Sequence, residues 1–259
     1  MKKSVLIAAA LCAASFAGAG EYLFDSPTDC RHENSKVKIE FKDGAFVLKG
    51  FCHFWTTQMF KADPNKKYSV TAEIMTDSKE KVPGLTLGVV FFNDKGKYIP
   101  TGKYMAAPNG FTELAKDMGP NDTTIVIKTP EGFRKRPGWG YVLAFEAKED
   151  LSDIPNDKVT TTITKMEIEP ETMTLTIAKP TLASYPAGTP VRLHYSISFC
   201  QPVNPDKFYD HATSEWQTIG GPLHIPRGMK NFKPAIIFYD HSKNPDVYFY
   251  VRNFKLIEE

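Results

Sequence analysis

The residues best equipped for chemistry lie near the end of the chain. In Val247–Arg252 a period of two puts Tyr248, Tyr250 and Arg252 on one face of a strand and Phe249 and Val251 on the other. The apolar pair belongs in a core. The other face is a row of two phenol rings and a forked guanidinium. That combination suits a ligand with a flat apolar face and a hydroxylated rim, such as a sugar ring. Rings stack on its C–H face while Asp, Asn, Gln or Arg bond its hydroxyls. On the preceding strand Ile237 and Tyr239 share a face, and Ile236, Phe238 and Asp240 share the opposite one, so Tyr239 and Asp240 add a ring and an acceptor. Trp55 and Trp216 are further stacking candidates, with His53, Thr57 and Gln217 as polar neighbours. The competing expectation is core packing for each Trp and an ordinary amphipathic outer face for the Tyr248 row.

Catalytic signatures are sparse. Hydrolysis on a β-scaffold needs two positioned carboxylates, typically ~5–10 Å apart. Glu40, Glu73 and Glu146 fall on predicted strands without a companion acid two residues away on the same face. Glu149, Asp150 and Asp153 sit in a predicted loop, where a solvated cluster is the default. Asp210-His211 and Asp240-His241 are acid–His neighbours, but adjacent strand residues face opposite ways. G-x-S-x-G, Walker, dinucleotide, CxxC and HExxH patterns do not occur, and Cys200 lacks the context of a nucleophile. The nearest approach to a catalytic set is Asp240, His241, Tyr248 and Arg252. The loop Phe133–Trp139 carries Arg134, Lys135 and Arg136 beside aromatic residues. It reads either as a grip on an anionic polysaccharide or membrane surface, or as a solvated turn before a core Trp.

The elements that must position these residues read almost entirely as strands. Lys36–Phe41 and Ala45–Leu48 flank Lys42-Asp43-Gly44, a hairpin signal. Tyr68–Met75 alternates, with Val70, Ala72 and Ile74 on one side, and Leu85–Phe92 runs into the turn Asn93-Asp94-Lys95-Gly96. The two runs within Phe232–Glu259 suggest a closing hairpin or a sandwich edge. The middle, from Phe111 to Leu193, is richer in Thr, Lys, Glu and Pro, and its Thr-rich strands suit a sheet with one wet face. The best helix candidate is a short piece around Thr112–Met118. This spacing predicts an all-β sandwich or barrel. Its halves, residues 20–110 and 194–259, enclose an inserted small β subdomain at 111–193. The alternative is two tandem β domains split near residue 110.

Composition sets the compartment and excludes some partners. Lys2 and Lys3, an apolar run from Val5 to Ala14, and Ala17-Gly18-Ala19 form a secretory signal with cleavage near Ala19. The expected location is therefore outside the cytoplasm, secreted or in the periplasm or cell envelope. No segment reaches the ~20 apolar residues of a membrane-spanning helix. The full chain carries 32 Lys+Arg against 30 Asp+Glu; losing Lys2 and Lys3 brings the charge from +2 to 0, which argues against nucleic acid as a partner. At 42% hydrophobic and 12% aromatic residues the chain can bury a substantial core. Cys30, Cys52 and Cys200 remain after cleavage; a Cys30–Cys52 disulfide and three buried thiols are equally open readings.

Two stretches add a resemblance. Phe60-Lys61-Ala62-Asp63-Pro64-Asn65-Lys66-Lys67-Tyr68-Ser69-Val70, followed by Phe91-Phe92-Asn93-Asp94-Lys95-Gly96, resembles the jelly-roll, galactose-binding-like carbohydrate-binding modules of bacterial polysaccharide-degrading systems. Trp216-Gln217-Thr218-Ile219, Ala235–Phe238 and Val247–Leu256 are similar to the way those modules close. The resemblance covers Glu21 to about Tyr104 and about Ile197 to Glu259, and leaves the insertion unexplained. It implies a jelly-roll β-sandwich that binds a polysaccharide or oligosaccharide without catalysis or an organic cofactor. Family members often hold a structural calcium ion with an acidic pair near the end; Arg252-Asn253 stands there instead, which argues against calcium. The rival functions are an envelope adhesion or structural protein making protein–protein contacts, and a glycan-active hydrolase or lyase.

Overall fold

Alternation is the organising feature of the chain's strands. Along Tyr68–Thr76 every second side chain is buried, from Tyr68 through Val70, Ala72 and Ile74 to Thr76. The structure, a computed structural model, describes residues 20–32, 39–49, 52–78, 82–196, 199–203, 210–238 and 247–259. Residues 1–19, where the secretory signal is expected, and Tyr239, Asp240 and His241 lie outside them. Among the described residues the fold is all-β and sandwich-like, built from antiparallel sheets, with a single short 3₁₀ turn at Thr101–Lys103. No helix among them is long and apolar enough to cross a membrane.

A six-stranded sheet runs in the order Gln217–Pro222, Tyr68–Thr76, Tyr248–Glu258, Ala45–Lys49, Glu40–Lys42, with Gly20–Phe24 also pairing the long final strand. An eight-stranded sheet has Val82–Phe92, Asn231–Phe238 and Cys52–Thr56 at its centre. Both ends of the chain thus contribute to both sheets. Aromatic rings cross between them: Phe46 meets Phe54 at 5.1 Å, Tyr68 meets Phe232 at 5.2 Å, and Phe238 meets Phe249 at 4.3 Å. Such pairs contribute about 0.5–1.5 kcal/mol each beyond their buried area.

The last two long strands form neither a hairpin with each other nor an edge of either sheet. Asn231–Phe238 belongs to the eight-stranded sheet and Tyr248–Glu258 to the six-stranded one, and each is flanked by strands on both sides. Two apolar runs separated by turn residues need not pair with each other. By contrast Glu40–Lys42 and Ala45–Lys49 do pair, with Lys42 opposite Ala45. The intervening Asp43 and Gly44 have φ of 53° and 77°, the left-handed conformation that a two-residue hairpin loop requires.

Residues 106–195 build two three-stranded sheets: Ala106–Glu113 with Pro190–Tyr195 and Tyr141–Phe145, and Thr124–Lys128 with Thr172–Ile177 and Ile163–Ile168. The Thr112–Met118 helix is not formed. Thr112 and Glu113 pair with Val191 and Pro190, while Leu114 and Met118 make isolated bridges. Thr172–Ile177 has the expected wet face, with Met173, Leu175 and Ile177 buried and the threonines half-exposed. One continuous buried cluster links these sheets to the sandwich core.

Cys30 pairs opposite Thr56, not Cys52. Four residues of strand, ~13 Å, separate the two positions, well beyond the reach of a disulfide. All three cysteines are buried and no disulfide joins them. Burial, followed by the charge of Asp29, pushes the Cys30 thiol far above its ordinary range.

Candidate functional site

The outer face of the six-stranded sheet gathers the aromatic row. Tyr248, Tyr250 and Arg252 are half-exposed, while Phe249 and Val251 are sealed in the core. Across the sheet, Tyr250 pairs with Val47 on one side and Met75 on the other, and Val47 pairs with Glu40. Trp216 immediately precedes the edge strand whose first residue, Gln217, pairs with Ile74. Trp216, Tyr248, Tyr250 and Arg252 line one groove of about 770 Å³. Its polar wall includes Glu40, Lys42, Asp43 and Asp77. From Glu40 to Trp216 the groove crosses five strands, or ~19 Å at ordinary strand spacing. That is room for several sugar units.

A β-bulge fixes the cationic end of the groove. The register between Tyr248–Glu258 and Tyr68–Thr76 shifts between Arg252 and Lys255, and Asn253 adopts φ 49°. Bulges of this kind redirect side chains. Here both residues at the bulge turn to Glu73. Arg252 donates Nε–H to Glu73 Oε2 at 2.7 Å, and Asn253 donates Nδ2–H to Glu73 Oε1 at 2.8 Å. These two bonds, the Arg252 one first, hold the Glu73 carboxyl below its usual range. The clamped guanidinium lies 4.1 Å above the Trp216 ring, a cation–π contact. At the other end Lys49 Nζ sits 5.5 Å from the Tyr248 ring centroid, and Asp77 Oδ1 accepts the Tyr248 backbone N–H at 2.9 Å.

Trp55 is elsewhere. It lies on the outer face of the eight-stranded sheet, 8% exposed, in a second small cluster with Val90, Phe92, Cys200, Ala235 and Ile237. Phe199 stacks on it at 4.9 Å and 10°, and Tyr98 stacks on Phe199 at 4.6 Å and 9°. The Arg31 guanidinium approaches the same indole at 5.7 Å. A sugar cannot reach that ring without displacing Phe199, so Trp55 is a packing residue. Tyr239 and Asp240 fall outside the described residues, so the groove is defined by Trp216, Tyr248, Tyr250 and Arg252. Sequence reasoning missed Glu73 as the clamp and Glu40, Asp43 and Asp77 as groove walls. The signal for Glu73 was its outward phase on an alternating strand, but nothing local shows that Arg252 will sit opposite it.

A buried polar cluster in the middle segment is chemically closed. Arg192 donates Nε–H to His194 Nε2 at 2.8 Å, Nη1–H to the Lys148 carbonyl and Nη2–H to Asp153 Oδ2, both at 2.7 Å. Since arginine only donates, His194 Nε2 accepts, and Nδ1–H donates to the Gly102 carbonyl at 2.9 Å. Burial, then the Arg192 charge, lowers the imidazole pKa to about 4. The ring is neutral, saturated and inaccessible, which marks a structural network. Among the described residues no group of three His, Cys, Asp or Glu side chains is arranged to hold a metal ion.

No family model and no curated protein sequence matches this chain.

Proposed function

We propose that the protein is an exported glycan-binding protein of jelly-roll type, acting without catalysis. It holds a polysaccharide or oligosaccharide along the outer face of its six-stranded sheet. The observation that carries this reading is the meeting of Trp216 with Tyr248, Tyr250 and Arg252 in one groove. They come from remote stretches of sequence and share a half-exposed face that contributes nothing to the core. Tyr250 and Tyr248 stack on sugar C–H faces. Arg252, pre-positioned by Glu73, donates to hydroxyls, and Glu40, Asp43 and Asp77 accept from them. Clamping the guanidinium in advance lowers the ordering cost of binding. Export is supported by Lys2-Lys3, the following apolar run and Ala17-Gly18-Ala19. The resemblance of Phe60–Val70 and Phe91–Gly96 to carbohydrate-binding modules points the same way.

Affinity gel electrophoresis of the mature protein, against polysaccharides chosen on a glycan array, tests this directly. Tyr250→Ala is expected to abolish retention, a loss of roughly 1–3 kcal/mol per stacked ring on the scale of other aromatic platforms. Its melting temperature should stay near wild type, because Tyr250 is half-exposed. Unchanged retention in both Tyr250→Ala and Tyr248→Ala would refute the reading.

A further inference from the structure

One charged residue interrupts the apolar strand Asn231–Phe238. Lys233 is 5% exposed and sits on the central strand of the eight-stranded sheet. Its Nζ lies 5.7 Å from the Phe92 ring centroid and donates to the Thr57 carbonyl at 2.7 Å. An ammonium carries three donors, so two remain beyond that bond. Burial, then the charge of Arg31, pushes the amine down to about 8. A buried cation short of partners is costly.

Strand register brings Arg31 to the same place. Arg31 pairs with Trp55 and Trp55 with Ala235, so the three form a row across neighbouring strands. Lys233 is two residues from Ala235 and shares its face. The Arg31 guanidinium sits 5.7 Å from the Trp55 ring centroid, so both cationic heads lie along Trp55–Thr57. Arg31 and Thr57 are exposed, which opens this end of the face to solvent. Among the described residues no carboxylate forms an ion pair with either cation. Asp29 is close, since its carbonyl accepts the Thr57 N–H, but its carboxylate accepts the backbone N–H groups of Asp25 and Ser26. Two neighbouring cations without an anion repel each other, and a doubly charged anion answers both. A guanidinium fork matches two oxygens of a sulfate or phosphate, and an ammonium takes a third as a point charge.

We infer that Arg31 and Lys233 hold a doubly charged tetrahedral oxyanion, a sulfate or phosphate group, at the Thr57 end of the eight-stranded sheet. The group is the free ion or an ester on a larger molecule. The site lies on a different sheet from the aromatic groove and does not depend on it.

Sodium sulfate is the probe, titrated into the full mature protein at neutral pH and constant ionic strength. The indole N–H of Trp55, buried and without a hydrogen-bond partner, is the resonance to follow. Sodium acetate is the singly charged comparison, and glucose 6-sulfate, with glucose as its control, is the ester. Sulfate should shift the Trp55 resonance saturably and bind at least roughly tenfold tighter than acetate, as expected for a second charge-assisted contact. Arg31→Gln and Lys233→Gln should each weaken it by about tenfold, on the same scale. Arg31→Lys should retain most of the affinity, and Tyr250→Ala should leave it unchanged. Glucose 6-sulfate binding as tightly as sulfate marks an ester ligand, and sulfate binding alone marks the free ion; either supports the site. Circular dichroism separates lost binding from lost fold, and the exposed Arg31 pair tests the inference if Lys233→Gln misfolds. No saturable shift at millimolar sulfate, equal binding of acetate, or undiminished binding by folded Arg31→Gln would each overturn it.

Discussion

At the scale of single residues, the chain separates two ways of using a cation beside its partner. Arg252 is partly exposed and its bond to Glu73 organises a surface. Arg192 is 2% exposed and its bonds to Asp153 and His194 satisfy an interior. The interior network has a pH signature. His194 has a folded pKa of about 4 against an ordinary 6.5, so the unfolded chain binds a proton that the folded one refuses. Stability is therefore complete above about pH 6.5 and is lost as pH falls toward 4, a total of roughly 3 kcal/mol at 1.36 kcal/mol per unit. Urea unfolding across that window should show the slope in the wild type and a flatter one in His194→Gln, where the titrating ring is gone. Equal slopes in both proteins would show that His194 is not the group responsible.

At the scale of elements, the final strand shows how far sequence patterning reaches. The in-and-out alternation of Tyr248–Arg252 was fully legible, because a period of two needs only local information. The bulge at Asn253 was not, since it is defined against a partner strand some 180 residues earlier in the chain. The same gap hid Glu73 and Asp77. Trp55 escaped for a different reason: alternation assigns a residue to the outer face of a sheet but cannot say whether another segment covers that face, as Phe199 and Tyr98 do here. The bulge makes a prediction of its own. Asn tolerates φ 49° and a β-branched residue does not. Asn253→Val should cost roughly 1–3 kcal/mol in thermal or urea unfolding. Asn253→Gly keeps the backbone relaxed but drops the bond to Glu73. It should therefore stay close to wild type in stability while weakening glycan retention; a Val variant as stable as the Gly variant would contradict the bulge geometry.

At the scale of the whole molecule, the strand-rich class was readable from spacing and turn residues. The placement of residues 106–195 in two further sheets, joined to the sandwich by a continuous core, rests on long-range packing that no local pattern encodes. The three tryptophans lie in three different settings: Trp55 under Phe199, Trp139 beside Arg136 and Tyr195, and Trp216 beneath Arg252 in the groove. Their indole N–H resonances, assigned by single Trp→Phe variants, report on each setting separately. Titrating the mature protein with the oligosaccharide that it retains best should move the Trp216 resonance along a saturating curve and leave Trp55 and Trp139 in place. Movement at Trp55 or Trp139 with Trp216 unchanged would contradict a glycan site in the groove.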